Sequence, residues 1–210
     1  MKIVVFGGSG FIGQKIVEKL IQNGQQVTSI SRHGQAVNLT GTWIDQVEWV
    51  ASDILVDDRW QKYVDQADWV IDAIGILFEN RRKGLTYEKF MIEPVRKITD
   101  YLKNNQQTSR FLFISANKMP VILRKYMLAK YAAEKIVLAQ NRHNTIIYPG
   151  MVYDRARLYS VILAAPLNVS KQLPLLKKLL AAYIPVRRDT LADEIVKVIN
   201  GGSSSYQRRR

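Results

Sequence analysis

The 210-residue chain contains no cysteine and only two histidines, His33 and His143, far apart in sequence. Without thiols there is no disulfide framework, no thiolate metal site and no cysteine nucleophile. Two separated histidines read as surface or loop residues rather than metal ligands, and no metal is expected. Long apolar runs are missing too. A membrane-crossing helix needs about 20 apolar residues, whereas the longest candidates here, near 161–166 and 179–184, are short and interrupted. Acidic residues are scarce in one half only: residues 1–117 hold 14 Lys or Arg against 13 Asp or Glu, but residues 118–210 hold 17 against 5. That bias favours an anionic partner, whether a nucleotide phosphate, a nucleic acid or an anionic membrane surface, and leaves room for a protein partner. Nucleic acid is the least favoured, because no stacking-aromatic and basic-loop signature accompanies the charge.

What is present fits one globular domain with a sizeable core, at 47% apolar and 23% charged residues. Met1-Lys2 leads straight into the apolar run Ile3-Val4-Val5-Phe6. This leaves no room for a leader segment, so a cytoplasmic location is expected, with peripheral membrane association as the variant the basic half allows. Short β-rich runs alternate with longer segments of helical period, the pattern of a parallel sheet covered by helices. Strands are expected near 2–6, 26–31, 47–51, 68–73, 110–115 and 144–148. Helices are expected near 12–23, 57–66, 86–105 with Pro94 as a break, 124–140, 173–183 and 190–199. The final "GGSSSYQRRR" reads as a flexible basic tail over 201–210.

The most informative stretch is "FGGSGFIG", residues 6–13, where the first strand becomes the first helix. A helix N-terminus offers unpaired backbone N–H groups and the positive end of a dipole, which suits a diphosphate. Gly7 then permits the tight turn, Gly10 lets phosphate approach the backbone, and Gly13 lets the helix pack closely against the strand. Two rival glycine motifs fail. Gln14-Lys15-Ile16 follows Gly13 where a P-loop needs Lys-Ser/Thr. Phe11 stands where a nucleophile elbow around Ser9 needs glycine.

The spacing Gly7-x-x-Gly10-x-x-Gly13 resembles the short-chain dehydrogenase/reductase superfamily. Further stretches agree: "ASDI" with Asp53 after the third strand, "DAIG" ending at Gly75 after the fourth, "YMLAKYAAEKIV", and "NTIIYPGMVYD". These are similar to the extended and atypical branches. The stretch "AIGILFENRRKGLTYEKF" is similar to the NADPH-binding accessory subunit of respiratory complex I and its coenzyme Q-associated relative. The resemblance implies a Rossmann-type doubly wound α/β sheet in the order 3-2-1-4-5-6. One dinucleotide-binding domain would span 1–200, with about 150–190 forming a small helical substrate-side region. It also implies a cofactor surface of Gly7, Gly8, Ser9, Gly10, Phe11, Ile12 and Gly13, then Ser31 and Arg32, Asp53 and Ile54, Ala73, Ile74 and Gly75, and finally Lys130, Tyr148 and Pro149.

The cofactor choice follows from another absence. No Asp or Glu occurs from residue 24 to 44, where an NAD enzyme places a carboxylate for the ribose 2′-OH; "SISRHG" offers Ser31 and Arg32 instead. A guanidinium suits a 2′-phosphate, so NADP(H) is expected over NAD(H). In the resembling family, Lys130 would hold the nicotinamide ribose and lower the pKa of Tyr126, which would exchange a proton with substrate. Tyr131 and Lys135 repeat the spacing, but only the first register leaves Ala133-Glu134 where the pattern has them.

Three departures weaken the catalytic set. Ala116 falls where the family serine is expected, with Ser115 one residue early and so directed to the other face. Met91 or Ile92 replaces a common Asn, and Tyr148 replaces the usual Arg before Pro149-Gly150. The expected function is an NADP(H)-binding oxidoreductase or isomerase acting on a carbonyl or quinone-type molecule. The alternative is a non-catalytic NADP(H)-holding protein that acts through a protein or membrane-surface partner.

Overall fold

The structure, a computed structural model, describes residues 1–37, 39–106, 108–140, 144–154 and 185–209. Six parallel strands form the central sheet: β1 (Lys2–Phe6), β2 (Gln26–Ser31), β3 (Val47–Ala51), β4 (Trp69–Asp72), β5 (Arg110–Ile114) and β6 (Asn144–Ile147). Their order is β3-β2-β1-β4-β5-β6, so the order in which strands are added reverses between β1 and β4. Ligands of open α/β sheets bind outside the carboxyl ends of the strands at such a switch point.

Both faces of the sheet are buried, which is why its strands read as near-continuous apolar runs. Alternation along β1 sends Ile3 and Val5 to one core and Val4 and Phe6 to the other. The first core is closed by α1 (Phe11–Gln22) and α5 (Arg188–Ile199). The second is closed by α2 (Gln61–Val64), α3 (Glu93–Asn104) and α4 (Arg124–Ala139). On α1, Ile16, Val17, Leu20 and Ile21 face the first core, while Lys19 pairs with Asp193 of α5 at 2.9 Å.

Two elements differ from their sequence expectation for local reasons. The helix expected over 57–66 is only the single turn α2, because Asp57 accepts from Ser52 Oγ and from the backbone N–H groups of Asp53 and Arg59. That leaves Trp60 free to bury between Phe6 and Tyr101, at 5.5 and 4.9 Å between ring centroids. The helix expected over 86–105 begins with a π-helical turn, Glu88–Ile92, ahead of α3. Pro94 lacks the N–H that would bond the Phe90 carbonyl, so the α-helical ladder starts only beyond it.

A second, two-stranded parallel sheet pairs β7 (Val152–Tyr153) with β8 (Val186–Arg187). The helix expected near 173–183 and most of the substrate-side region expected over 150–190 lie outside the described residues. Among the described residues no helix is long and apolar enough to cross a membrane.

Residues 201–209 do not behave as the free tail expected from composition. Ser204 caps a short turn at Ser205–Gln207 and Gln207 reciprocates, while the Tyr206 carbonyl accepts from Tyr148 N–H at 2.7 Å beside β6. Leu20 is fully buried between α1 and the sheet. Leu20→Ala is expected to lower unfolding free energy by about 2–5 kcal/mol, read by urea denaturation.

Candidate functional site

The chain leaves β1 through a turn that only glycine can make. Gly7 has φ +77°, a left-handed conformation disfavoured for residues with a Cβ, and its N–H donates to Ile30 O at 2.8 Å. Gly10 caps α1 and donates to Gly7 O at 2.9 Å, while Gln14 N–H returns to Gly10 O. Gly13 packs against this turn rather than against the strand itself: a Cβ there would lie 2.1 Å from Gly7 O and 2.7 Å from Gly8 Cα. Gly10 itself is exposed at the mouth of the turn. The N-terminus of α1 therefore opens toward the sheet's carboxyl edge with room at its tip, a cradle that fits a diphosphate.

A continuous cleft crosses this edge in two parts that share Gly10, Ala73, Ile74, Gly75 and Ile76. The part beside β2 encloses about 220 Å³ between Gly7, Ser9, Ser31, Arg32, Asp53, Ile54 and Phe90. Ser31 Oγ accepts from Ser9 N–H at 3.2 Å and so ties the glycine turn to the end of β2. The Arg32 guanidinium stacks 4.7 Å over the Phe90 ring, which the π-helical turn brings forward. Among the described residues no carboxylate pairs with it. Asp53 accepts from Leu55 N–H at 3.0 Å.

The part beside β5 encloses about 300 Å³ between Phe11, Ile12, Ile74, Gly75, Ser115, Ala116, Met119, Tyr126, Lys130, Pro149 and Met151. A larger space, about 490 Å³, lies at the opposite edge near Lys2, Gly24 and Gln66, on the amino ends of the strands, away from the glycine turn. The expected cofactor residues thus converge on the two-part cleft, except that Gly8, Gly13 and Tyr148 do not line it.

Tyr126 and Lys130 share one face of α4. Lys130 is buried and donates to Ile114 O at 2.7 Å, with its Nζ 4.8 Å over the Phe113 ring and 5.9 Å from the Tyr126 ring centroid. Burial lowers the Lys130 ammonium to about 8, while Asp72 and Glu134 pull it upward. Burial raises the Tyr126 phenol above the usual tyrosine range, and Tyr87, edge-on at 6.1 Å, adds to the rise. Tyr126 is thus a protonated phenol held at the cleft, not a phenolate. Ser115 Oγ donates to the Glu134 carboxylate on the α4 side, as its one-residue offset implies. Its hydrogen is committed there rather than to the cleft.

Sequence reasoning missed four contributors. Glu134 served only as a register marker, and Arg209 was assigned to the tail. Arg188 stacks 4.9 Å over Phe11, donates to its carbonyl at 3.1 Å and pairs with Asp154 at 2.9 Å, tying α5 to the start of α1. Asp72, inside the quoted "DAIG", is fully buried at the end of β4; one oxygen accepts from Ile74 N–H at 2.9 Å and the other has no hydrogen-bond partner. An acid closing an otherwise apolar strand was the available signal.

Burial pushes the Asp72 carboxyl up to about 6, against the lowering effects of Ile74 N–H and Lys130. With the folded value above the unfolded one, the stabilisation from Asp72 is complete below the unfolded value and is lost as pH rises through about 6. Asp72→Asn is therefore expected to lose less stability than the parent between about pH 4 and about pH 7 in denaturant titrations; equal losses would contradict this. Gly13→Ala, which forces a Cβ onto Gly7 O, is expected to cost about 1–3 kcal/mol in thermal or chemical unfolding and to abolish dinucleotide binding.

Residues 7–200 match the NAD(P)H-binding family. MIOREX complex component 2 of Saccharomyces cerevisiae is 28% identical over 207 residues, covering 74% of this chain and 74% of that protein. A chloroplastic protein of Arabidopsis thaliana is 27% identical over 165 residues, covering 76% of this chain and 53% of its own length. The chain therefore spans about half of that plant relative. UDP-glucuronic acid 4-epimerase from Bacillus cereus, solved with NAD, superposes with a TM-score of 0.66 at 18% identity, over 95% of this chain and 73% of that one. The oxidoreductase ylbE from Lactococcus lactis gives 0.67 at 16% identity, over 95% and 85%. Both share the fold. The glycine turn, the six-strand order and the match over nearly the whole length agree, and the chain belongs to the NAD(P)H-binding family.

Proposed function

We propose that this protein binds NADP(H) and acts as an oxidoreductase or isomerase on a carbonyl or quinone-type small molecule. The observation that carries the choice of NADP(H) is Arg32: it follows β2, stacks on Phe90 and has no carboxylate partner among the described residues. A planar, permanently charged guanidinium braced on an aromatic ring suits the ribose 2′-phosphate, and no acid from residue 24 to 44 offers the 2′-OH an acceptor. The amides at the start of α1 would hold the diphosphate. Ala73, Ile74 and Gly75 would form the floor where the two parts of the cleft join.

When bound, the nicotinamide supplies or accepts a hydride. The chain's own part is proton handling and water exclusion. Tyr126, kept protonated by burial, is the proton donor to a reduced carbonyl oxygen. The Lys130 ammonium supplies positive charge beneath it, and the apolar lining of Ile74, Ala116, Met119 and Met151 excludes water from a small, weakly polar substrate.

The bond from Ser115 to Glu134 favours a second reading, in which NADP(H) is held for a structural or redox-sensing purpose without turnover. Calorimetric titration with NADPH and NADH is expected to show tighter NADPH binding, weakened about ten-fold or more in Arg32→Ala. A carbonyl and quinone screen then separates the readings. NADPH oxidation that Tyr126→Phe removes supports catalysis, whereas tight binding without oxidation supports the holding role.

A further inference from the structure

The segment after α5 returns to the end of β6. Tyr206 packs on the α1/α5 core, and its carbonyl accepts from Tyr148 N–H at 2.7 Å. This places the Arg209 guanidinium between two rings, 4.6 Å from the centroid of Tyr131 on α4 and 4.6 Å from that of Tyr148 at the end of β6. Arg209 also donates to Ala116 O at 3.2 Å and pairs with the Glu134 carboxylate. One side chain thus joins α4, the end of β5 and the end of β6, three of the elements that enclose the larger part of the cleft.

Glu134 is 6% exposed and accepts from both Ser115 and Arg209. It lies one helical turn beyond Lys130, which donates to Ile114 O. Two successive rungs therefore fasten the same face of α4 to successive residues of one strand end: Lys130 to Ile114 and Glu134 to Ser115. The second rung depends on a buried carboxylate, which is costly without a cation beside it. Arg209 is the cation the structure places there.

We propose that Arg209 is a positioning residue of the cofactor cleft: by holding the Glu134 carboxylate against Ser115, it sets the rotation of α4 that presents Tyr126 and Lys130 to the cleft. The inference rests on the reading of that cleft as an NADP(H) site. It predicts an asymmetric effect. Arg209 governs the β5 side of the cleft, and the Arg32 side is built on β2 and the π-helical turn, which it does not touch.

The test uses the full-length protein and its Arg209→Ala, Arg209→Lys and Arg208→Ala variants, each titrated calorimetrically with NADPH and with adenosine 2′,5′-bisphosphate. The second ligand carries the adenosine and the 2′-phosphate but no nicotinamide. Arg209→Ala is expected to weaken NADPH about ten-fold while leaving the fragment within about two-fold of the parent. Arg209→Lys, which keeps a cation for Glu134 without the planar stack, is expected to fall between. Arg208→Ala removes the same charge from the neighbouring exposed position and is expected to match the parent. Unchanged NADPH binding in Arg209→Ala overturns the inference, as does an equal loss of both ligands, which marks a purely structural contact. If the parent protein binds neither ligand, the NADP(H) reading itself fails and takes this inference with it.

Discussion

The cleft depends on how closely the first helix approaches the first turn. Gly13 sits against the Gly7 carbonyl at a separation that excludes any side-chain carbon, and Gly7 occupies a left-handed conformation that makes the turn possible. From that contact follow the direction of α1, the opening of its N-terminal amides toward the carboxyl edge of the sheet, and the junction at Gly10 where the two parts of the cleft meet. Topology reinforces it, because β1 and β4 flank the point where strand order reverses. Packing and anion recognition thus use the same short turn.

The two ends of the cleft are built differently. Around the end of β2 the protein offers an exposed guanidinium supported by an aromatic ring. Around the end of β5 it buries its charges: Asp72, Lys130 and Glu134 are all nearly inaccessible, and each moderates the protonation of another. A low-dielectric group of this kind responds strongly to any added or removed charge. The Lys130 ammonium is balanced by two carboxylates, and Arg209 in turn balances Glu134. The Tyr126 phenol stays protonated because burial dominates.

Much of this was legible in the sequence. The strands were readable to within a residue or so because, in a parallel sheet buried on both faces, they appear as compact apolar runs bounded by polar or glycine residues. The glycine turn was readable because its spacing carries a steric demand. Shorter-range competition was not readable. Asp57 gathers four donors and stops a helix that periodicity alone extends, and the bond missing at Pro94 leaves a π-helical turn ahead of α3. Long-range partners were the least visible: Arg209 and Glu134 lie 75 positions apart, and only the Tyr at position 148, where the related pattern carries Arg, marked that neighbourhood as altered.

The central claim is that the glycine turn and Arg32 together recognise a 2′-phosphorylated dinucleotide. A crystal structure of the protein grown with NADPH tests it most directly. The account predicts the diphosphate against the amides at the start of α1, the 2′-phosphate on the Arg32 guanidinium and the nicotinamide in the part of the cleft beside Tyr126 and Lys130. A cofactor bound with its 2′-phosphate away from Arg32, or bound outside this cleft, would contradict it.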